Sequence, residues 1–366
     1  MDKKMYDYWL YGLSSIGRKT FLKLNENGFN SAYLYKCREE RLPTFLNEKQ
    51  KASIIKGQEK SEESLKNAYE KLRANGIFMT VFGDDDYPKK LYKIPDAPAV
   101  LFYKGTLPSK EQKAIAIIGA RNCSEYGRLV AEAFAACFAK NGISVISGMA
   151  NGIDGFAQKA ALLENGYSVG VLGSGVNVCY PMENYELYKQ LTQKGCVLSE
   201  YLPDVQAAAK LFPPRNRIIS GLSDALLVVE AKEKSGTLIT VEMALEQGKE
   251  VYVVPGRITD ELSRGCHKLL WEGAYPAVSP EKMLESLYGT EVLEKKERKD
   301  GLSVNDREKE KLRKRILSFL EITPVHINVL QEQTGLPMEL LCRELLFMNM
   351  DGLVVQKGSN WYQKVR

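Results

Sequence analysis

Residues 114–138 read AIAIIGARNCSEYGRLVAEAFAACF, and the fold turns on this stretch. Its first five residues are an uninterrupted apolar run, the pattern of a strand covered on both faces. A turn of small and polar residues follows, from Gly119 to Gly127. Tyr126, Leu129, Val130, Ala133, Phe134, Cys137 and Phe138 then recur at helical spacing. The same alternation returns downstream, with short apolar runs at 143–147, 168–172, 197–199, 225–229 and 251–254 separated by helical stretches. Strands alternating with helices predict an α/β core over 113–288, built on a parallel, doubly wound sheet.

Working outward, residues 1–75 show helical periodicity without a strand signal and predict an all-α N-terminal domain. A bridging segment over 76–112 carries a short strand at 77–82 and the turn-rich Gly83-Asp84-Asp85-Asp86-Tyr87-Pro88. Beyond the core, 289–304 read as a charged linker breaking at Gly301. Residues 305–366 read as a winged helix. It has helices carrying Leu312, Ile316, Phe319 and Leu320, then 324–333, then 337–350, and a hairpin wing at 353–356 and 361–364. The 337–350 helix bears Glu339, Arg343 and Glu344 with Asp351 behind it, a net negative face that phosphates repel, so protein contact suits it better than major-groove reading.

Composition bounds the function. A net charge of +5 in 366 residues is compatible with a nucleic-acid partner without requiring one. The seven cysteines form no C-x-x-C pair, which reads as reduced cytosolic thiols rather than a disulfide framework or zinc site. His267 and His326 are the only histidines, which excludes a His-rich metal centre. No signal peptide and no apolar run of membrane-spanning length is present, so a cytoplasmic protein without membrane contact or cofactor is expected.

Chemistry concentrates at strand ends. Gly119, Arg121, Ser124 and Gly127 form a strand-to-helix turn spaced unlike a dinucleotide fingerprint, with Arg121 supplying a permanent forked phosphate donor. Ser147, Gly148 and Gly152 follow the second core strand, with Lys159 further on. Gly173, Ser174 and Gly175 follow the third, and Ser235, Gly236 and Thr237 lie after the run at 225–229. Ligands of open parallel sheets bind at the carboxyl ends of strands, so these turns predict one cleft for phosphate groups. In Phe212-Pro213-Pro214-Arg215-Asn216-Arg217 the prolines forbid a helix through them, and each arginine suits DNA contact or carboxylate pairing equally. Tyr126, Tyr180 and Phe212 are candidate stacking platforms, with core packing an equal use for each. Leu13-Ser14-Ser15-Ile16-Gly17-Arg18 is weakly similar to a helix-hairpin-helix turn.

In order, GARNCSEYG, SGMANGID, LGSGVNVCYP, Ser199-Glu200, PPRNRIISGLS, VVEAKEKSGTLIT and VPG resemble the DNA-processing protein A family, also called DprA or Smf, across nearly the whole chain. The resemblance implies an extended Rossmann-like core, a sterile-alpha-motif-like (SAM-like) domain before it and a winged helix after it. It also implies a homodimer that binds single-stranded DNA and loads the RecA recombinase during natural transformation. By that resemblance Gly119, Arg121, Ser124, Ser147, Gly148 and Gly173 to Gly175 line the DNA pocket. The chain departs from the family at Asn151, where many members carry a basic residue for which Lys159 is a candidate replacement, at Gln158, where many carry histidine, and near His267, where the family usually shows asparagine.

An enzyme on a related core is the competing reading. The stretch Lys234 to Glu242 is similar to the P-G-G-x-G-T-x-x-E loop of nucleotide phosphoribohydrolases, but lacks Pro-Gly-Gly and shifts the glutamate. Glu230 and Glu242 are the candidate acid–base groups, and capping or helix-surface roles suit them better.

Overall fold

The computed structural model describes residues 3–293, 312–320, 323–358 and 360–364. Two compact units separate by internal contact, Met1–Leu293 and Glu294–Arg366.

The first unit opens with five helices: α1 (Lys3–Tyr11), α2 (Arg18–Glu26), α3 (Ser31–Lys36), α4 (Glu48–Gln58) and α5 (Glu62–Ala74). Side-chain caps start the last three, from Asn30, Asn47 and Ser61. Their apolar stripes meet in a core holding Trp9, Leu10, Phe21, Leu34 and Ile54. That core continues onto β1 (Phe78–Val81) and β2 (Val100–Gly105) through Met79, Val100 and Phe102.

The sequence reading of 76–112 contained β1 but not β2. Pro95 and Pro98 punctuate the approach to β2, which is antiparallel to both neighbours and lies outside the strand–helix rhythm. After it come β3 (Ala114–Ile118), α6 (Glu125–Lys140), β4 (Ser144–Ser147), α7 (Ile153–Leu163), β5 (Ser168–Val171), α8 (Tyr185–Lys194), β6 (Cys196–Ser199), α9 (Phe212–Leu222), β7 (Ala225–Val228), α10 (Gly236–Glu246), β8 (Glu250–Val253), α11 (Arg264–Trp271), β9 (Tyr275–Pro276) and α12 (Pro280–Tyr288). The nine strands order as β1-β2-β6-β5-β4-β3-β7-β8-β9, parallel from β6 to β9. β3 through β7 are buried at every position, as the uninterrupted apolar runs require.

Chain order reverses at β3: successive strands add on one side as far as β6, and β7 returns to the other. This switch point opens a crevice at the strands' carboxyl ends.

One element is a correction. Pro213 and Pro214 do not exclude a helix; they occupy the first turn of α9, where the missing amide has no intrahelical partner to lose and the fixed φ is already helical.

In the second unit, a helical segment at 312–318 is followed by β10 (Val325–His326), a helix over Ile327–Thr334, another over Met338–Met350, and the hairpin β11 (Val354–Gln356) and β12 (Trp361–Lys364). The order β10-β12-β11 makes the wing three-stranded. The helix expected over 324–333 therefore gives its first residues to a strand, β10, paired with β12. The linker break expected at Gly301 lies outside the described residues. No helix among the described residues is long and apolar enough to cross a membrane.

Candidate functional site

A cleft of about 590 Å³ opens at the switch point. Gly119, Ala120, Arg121 and Asn122 from the end of β3 form one wall, and Phe212, Pro213, Arg215 and Asn216 of α9 form another. Lys232, Ser235, Gly236 and Thr237, after β7, close the third. A recess of about 140 Å³ reaches from Arg121 to Gly148, Asn151, Tyr180 and Arg215.

Arg121 is the exposed cation of the first wall, with its guanidinium carbon 5.5 Å from the centre of the Phe212 ring. Tyr180 lies 5.5 Å from the same ring at a 33° tilt and keeps nearly half its own surface exposed. A cation and two aromatic rings thus share one lip. Opposite them, α10 begins without a side-chain cap, and the Ser235 hydroxyl oxygen is buried with no hydrogen-bond partner. The Gly236 and Thr237 amides, unpaired among the described residues, and the positive end of the helix dipole favour an anion there.

The N-terminus of α6, where the sequence placed the anion, already holds one of the protein's own. The Glu230 carboxylate, buried just beyond β7, accepts a 2.9 Å hydrogen bond from the Ser124 amide and another from its hydroxyl. The Ser124 oxygen in turn caps α6 by accepting from the Gly127 amide at 3.0 Å. A Cβ on Gly127 would stand 2.4 Å from the Glu230 carboxylate, so the glycine serves a close approach. Ser124, Gly127 and Glu230 form a clasp across the switch point, which gives Glu230 a capping role. Glu242 lies exposed on α10 and outside the cleft. The phosphoribohydrolase reading has no support in this arrangement.

The two arginines of α9 are both buried and hydrogen-bonded within the protein. Arg215 is buried, donates to the carbonyls of Gly148 (2.8 Å) and Val171 at the ends of β4 and β5, and donates to the Asn216 side chain. Burial lowers its guanidinium to about 10, although the nearby Asp154 carboxylate opposes the shift. Burial also raises Asp154, which accepts the Gly148 amide at 3.0 Å. Arg217, equally buried, sets both terminal nitrogens on Glu200, at 2.8 and 2.6 Å.

The other glycine-rich turns mostly support the rim from behind. The Ser147 hydroxyl is buried on the Ile117 carbonyl. Gly173 backs the Phe212 ring, Ser174 is buried with its hydroxyl on the Val178 carbonyl, and Gly175 donates to the Val205 carbonyl. Gly152 has φ of 75° and packs on the Ala120 and Arg121 carbonyls, where any Cβ would collide. None of these five lines the cleft or recess, nor does Lys159.

Asn151 is exposed at the recess, so the departure from a basic residue falls at the site itself. Gln158 is buried, accepting from the Met149 amide and donating to the Val169 carbonyl. His267 contacts the Gly256 carbonyl at 3.0 Å. Lys232 and Asn122 line the cleft and were not singled out from sequence; Lys232 was legible as the first cation after β7.

The family model of DNA recombination-mediator protein A matches residues 78–288, and that of the DprA winged helix domain matches 303–359. Protein Smf of Escherichia coli is 38% identical over 272 residues, covering 73% of this chain and 72% of its own. DNA processing protein DprA of Bacillus subtilis is 39% identical over 249 residues, covering 67% and 84%. The crystal structure of DNA processing protein A from Streptococcus pneumoniae superposes with a TM-score of 0.66 at 34% identity, covering 77% of this chain and 98% of that one. DNA processing protein A from Helicobacter pylori, a protein with a described single-stranded DNA binding mode, gives 0.52 at 27% identity, covering 58% and 95%. The chain belongs to the DNA recombination-mediator protein A family, the DprA/Smf proteins.

Proposed function

We propose that this protein holds single-stranded DNA in the switch-point cleft and delivers it to a RecA-type recombinase in transformation. The observation that carries the reading is the pairing of an exposed guanidinium and two aromatic rings at one lip with an uncapped helix start on the third wall. Phosphates are met by Arg121, Lys232 and the amides of Gly236 and Thr237. Bases stack on Tyr180 and Phe212, a mode that tolerates any sequence. Arg215, Ser124, Gly127 and the glycines behind the rim act by shaping that surface. Binding is the protein's work and no bond is made or broken.

A homodimer accompanies this reading. At the β9 side of the sheet Ile258, Trp271 and Val278 are 86%, 92% and 63% exposed, and Tyr275 on β9 itself is half exposed. Exposed apolar side chains of this size suit a second copy better than water.

Titration of a labelled oligo(dT) by fluorescence anisotropy, with a duplex of equal length beside it, tests the binding. The single strand is expected to bind more tightly, and recombinase filaments to form faster on strands carrying the protein. Equal affinity for the two, or no binding, would end the reading.

A further inference from the structure

The Arg217 pair extends beyond the cleft. The Arg217 Nε makes no hydrogen bond and faces the Asp96 carboxylate at 3.4 Å. Asp96 also receives the guanidinium of Arg18, the first residue of α2, whose other terminal nitrogen donates to the Ala97 carbonyl at 3.0 Å. From α1, the Tyr11 hydroxyl donates to the Glu200 carbonyl at 3.0 Å. A continuous chain of charge therefore runs Arg18–Asp96–Arg217–Glu200, from the N-terminal helices to the end of β6. Arg217 sits on α9, about one and a half turns after Phe212. Arg217 also donates to the Pro214 carbonyl at 2.9 Å, which ties the chain to the first turn of the helix that forms the cleft wall.

We propose that the N-terminal helices set the position of the α9 wall through this chain, with Asp96 and Arg217 as positioning residues, and so tune the cleft's grip. The proposal rests on the reading of the cleft as a seat for single-stranded nucleic acid. Arg217 and Glu200 are buried, and alone they would fix α9 to β6. Asp96 is different: its side chain is 56% exposed, and it is shared between an arginine of α2 and an arginine of α9. A junction of this kind can be loosened without opening the core. Coupling of two sites through it is reciprocal, so a strand in the cleft must tighten the seating of α2 by the factor that seating tightens the strand.

The test uses the full chain with Asp96→Asn, Arg18→Ala and the two combined, each first shown to melt as a folded protein. Hydrogen exchange is followed across 212–222 and 17–24, and oligo(dT) affinity by anisotropy. Each single change is expected to speed exchange at the start of α9 and to weaken affinity by about two- to fivefold, the scale of a half-exposed ion pair. The combined change should be no worse than either alone, because both break the same link. Oligo(dT) should slow exchange at 17–24 in the unsubstituted chain and not in Asp96→Asn, a readout that simple loss of stability would not produce. Asp96→Glu should restore part of both effects. Unchanged exchange at α9 in both single variants, or losses that add in the combined one, would overturn the proposal. If exchange responds as expected while neither the unsubstituted chain nor Arg121→Ala binds oligo(dT), the seating of α9 stands and the nucleic-acid reading of the cleft fails.

Discussion

Replacing Arg121 with alanine separates a phosphate contact from a structural arginine. The side chain is exposed and among the described residues makes only a ring contact with Phe212, so folding should be indifferent to its loss. A cation that neutralises one phosphate of a single strand contributes about 0.7 to the slope of log K against log salt. Raised to the power of about 0.7, the salt concentration gives a loss near 3-fold at about 0.2 M salt and near 15-fold at about 0.02 M. Anisotropy titrations of oligo(dT) from low to high salt measure both quantities on one protein. The lines for the two proteins should converge as salt rises, and Arg121→Lys should stay nearly parallel to the unsubstituted chain. Parallel lines for Arg121→Ala, or a loss that does not depend on salt, would refute the assignment of Arg121 to phosphate.

Three further outcomes follow from described contacts. Gly127→Ala drives a methyl group into the Glu230 carboxylate and should cost about 1–3 kcal/mol of stability, read from denaturant unfolding, because the clasp has no slack. For Asp224, burial pushes the carboxyl up, but Lys90 at 2.7 Å, the Ala114 amide and the Tyr288 hydroxyl outweigh it and hold the group below its ordinary value. Its stabilising effect is thus complete above about pH 3.9 and is lost as pH falls through the lowered value, so Asp224→Asn should destabilise at neutral pH with a gap that closes on acidification. A constant gap down to pH about 2.5 would contradict this. Trp271→Glu replaces an exposed apolar side chain just before β9 with a charge and should shift the mass in light scattering from two copies to one; an unchanged mass would move the dimer contact elsewhere.

The core was legible because parallel strands buried on both faces write themselves as uninterrupted apolar runs, and β3 to β7 do so. β2 was hidden because an antiparallel strand reached through Pro95 and Pro98 lacks that context. The prolines of α9 misled because the same residue that breaks a helix interior suits its first turn. Arg121 was legible at the site because a cation beside a glycine turn needs no distant partner. The fates of Arg215 and Arg217 were not, since they depend on carbonyls and a carboxylate that only the fold brings near. Ser124 likewise gave no sign of Glu230, 106 positions away in sequence.

The place of the crevice within the strand order has a geometric corollary. Its axis between β3 and β7 lies only two to three inter-strand spacings, about 10–15 Å, from the β9 margin. Two molecules abutting along that margin would set their grooves close enough for one polynucleotide to thread both. Capture by the second groove then becomes intramolecular, and avidity should climb abruptly once the polymer is long enough to bridge the seam.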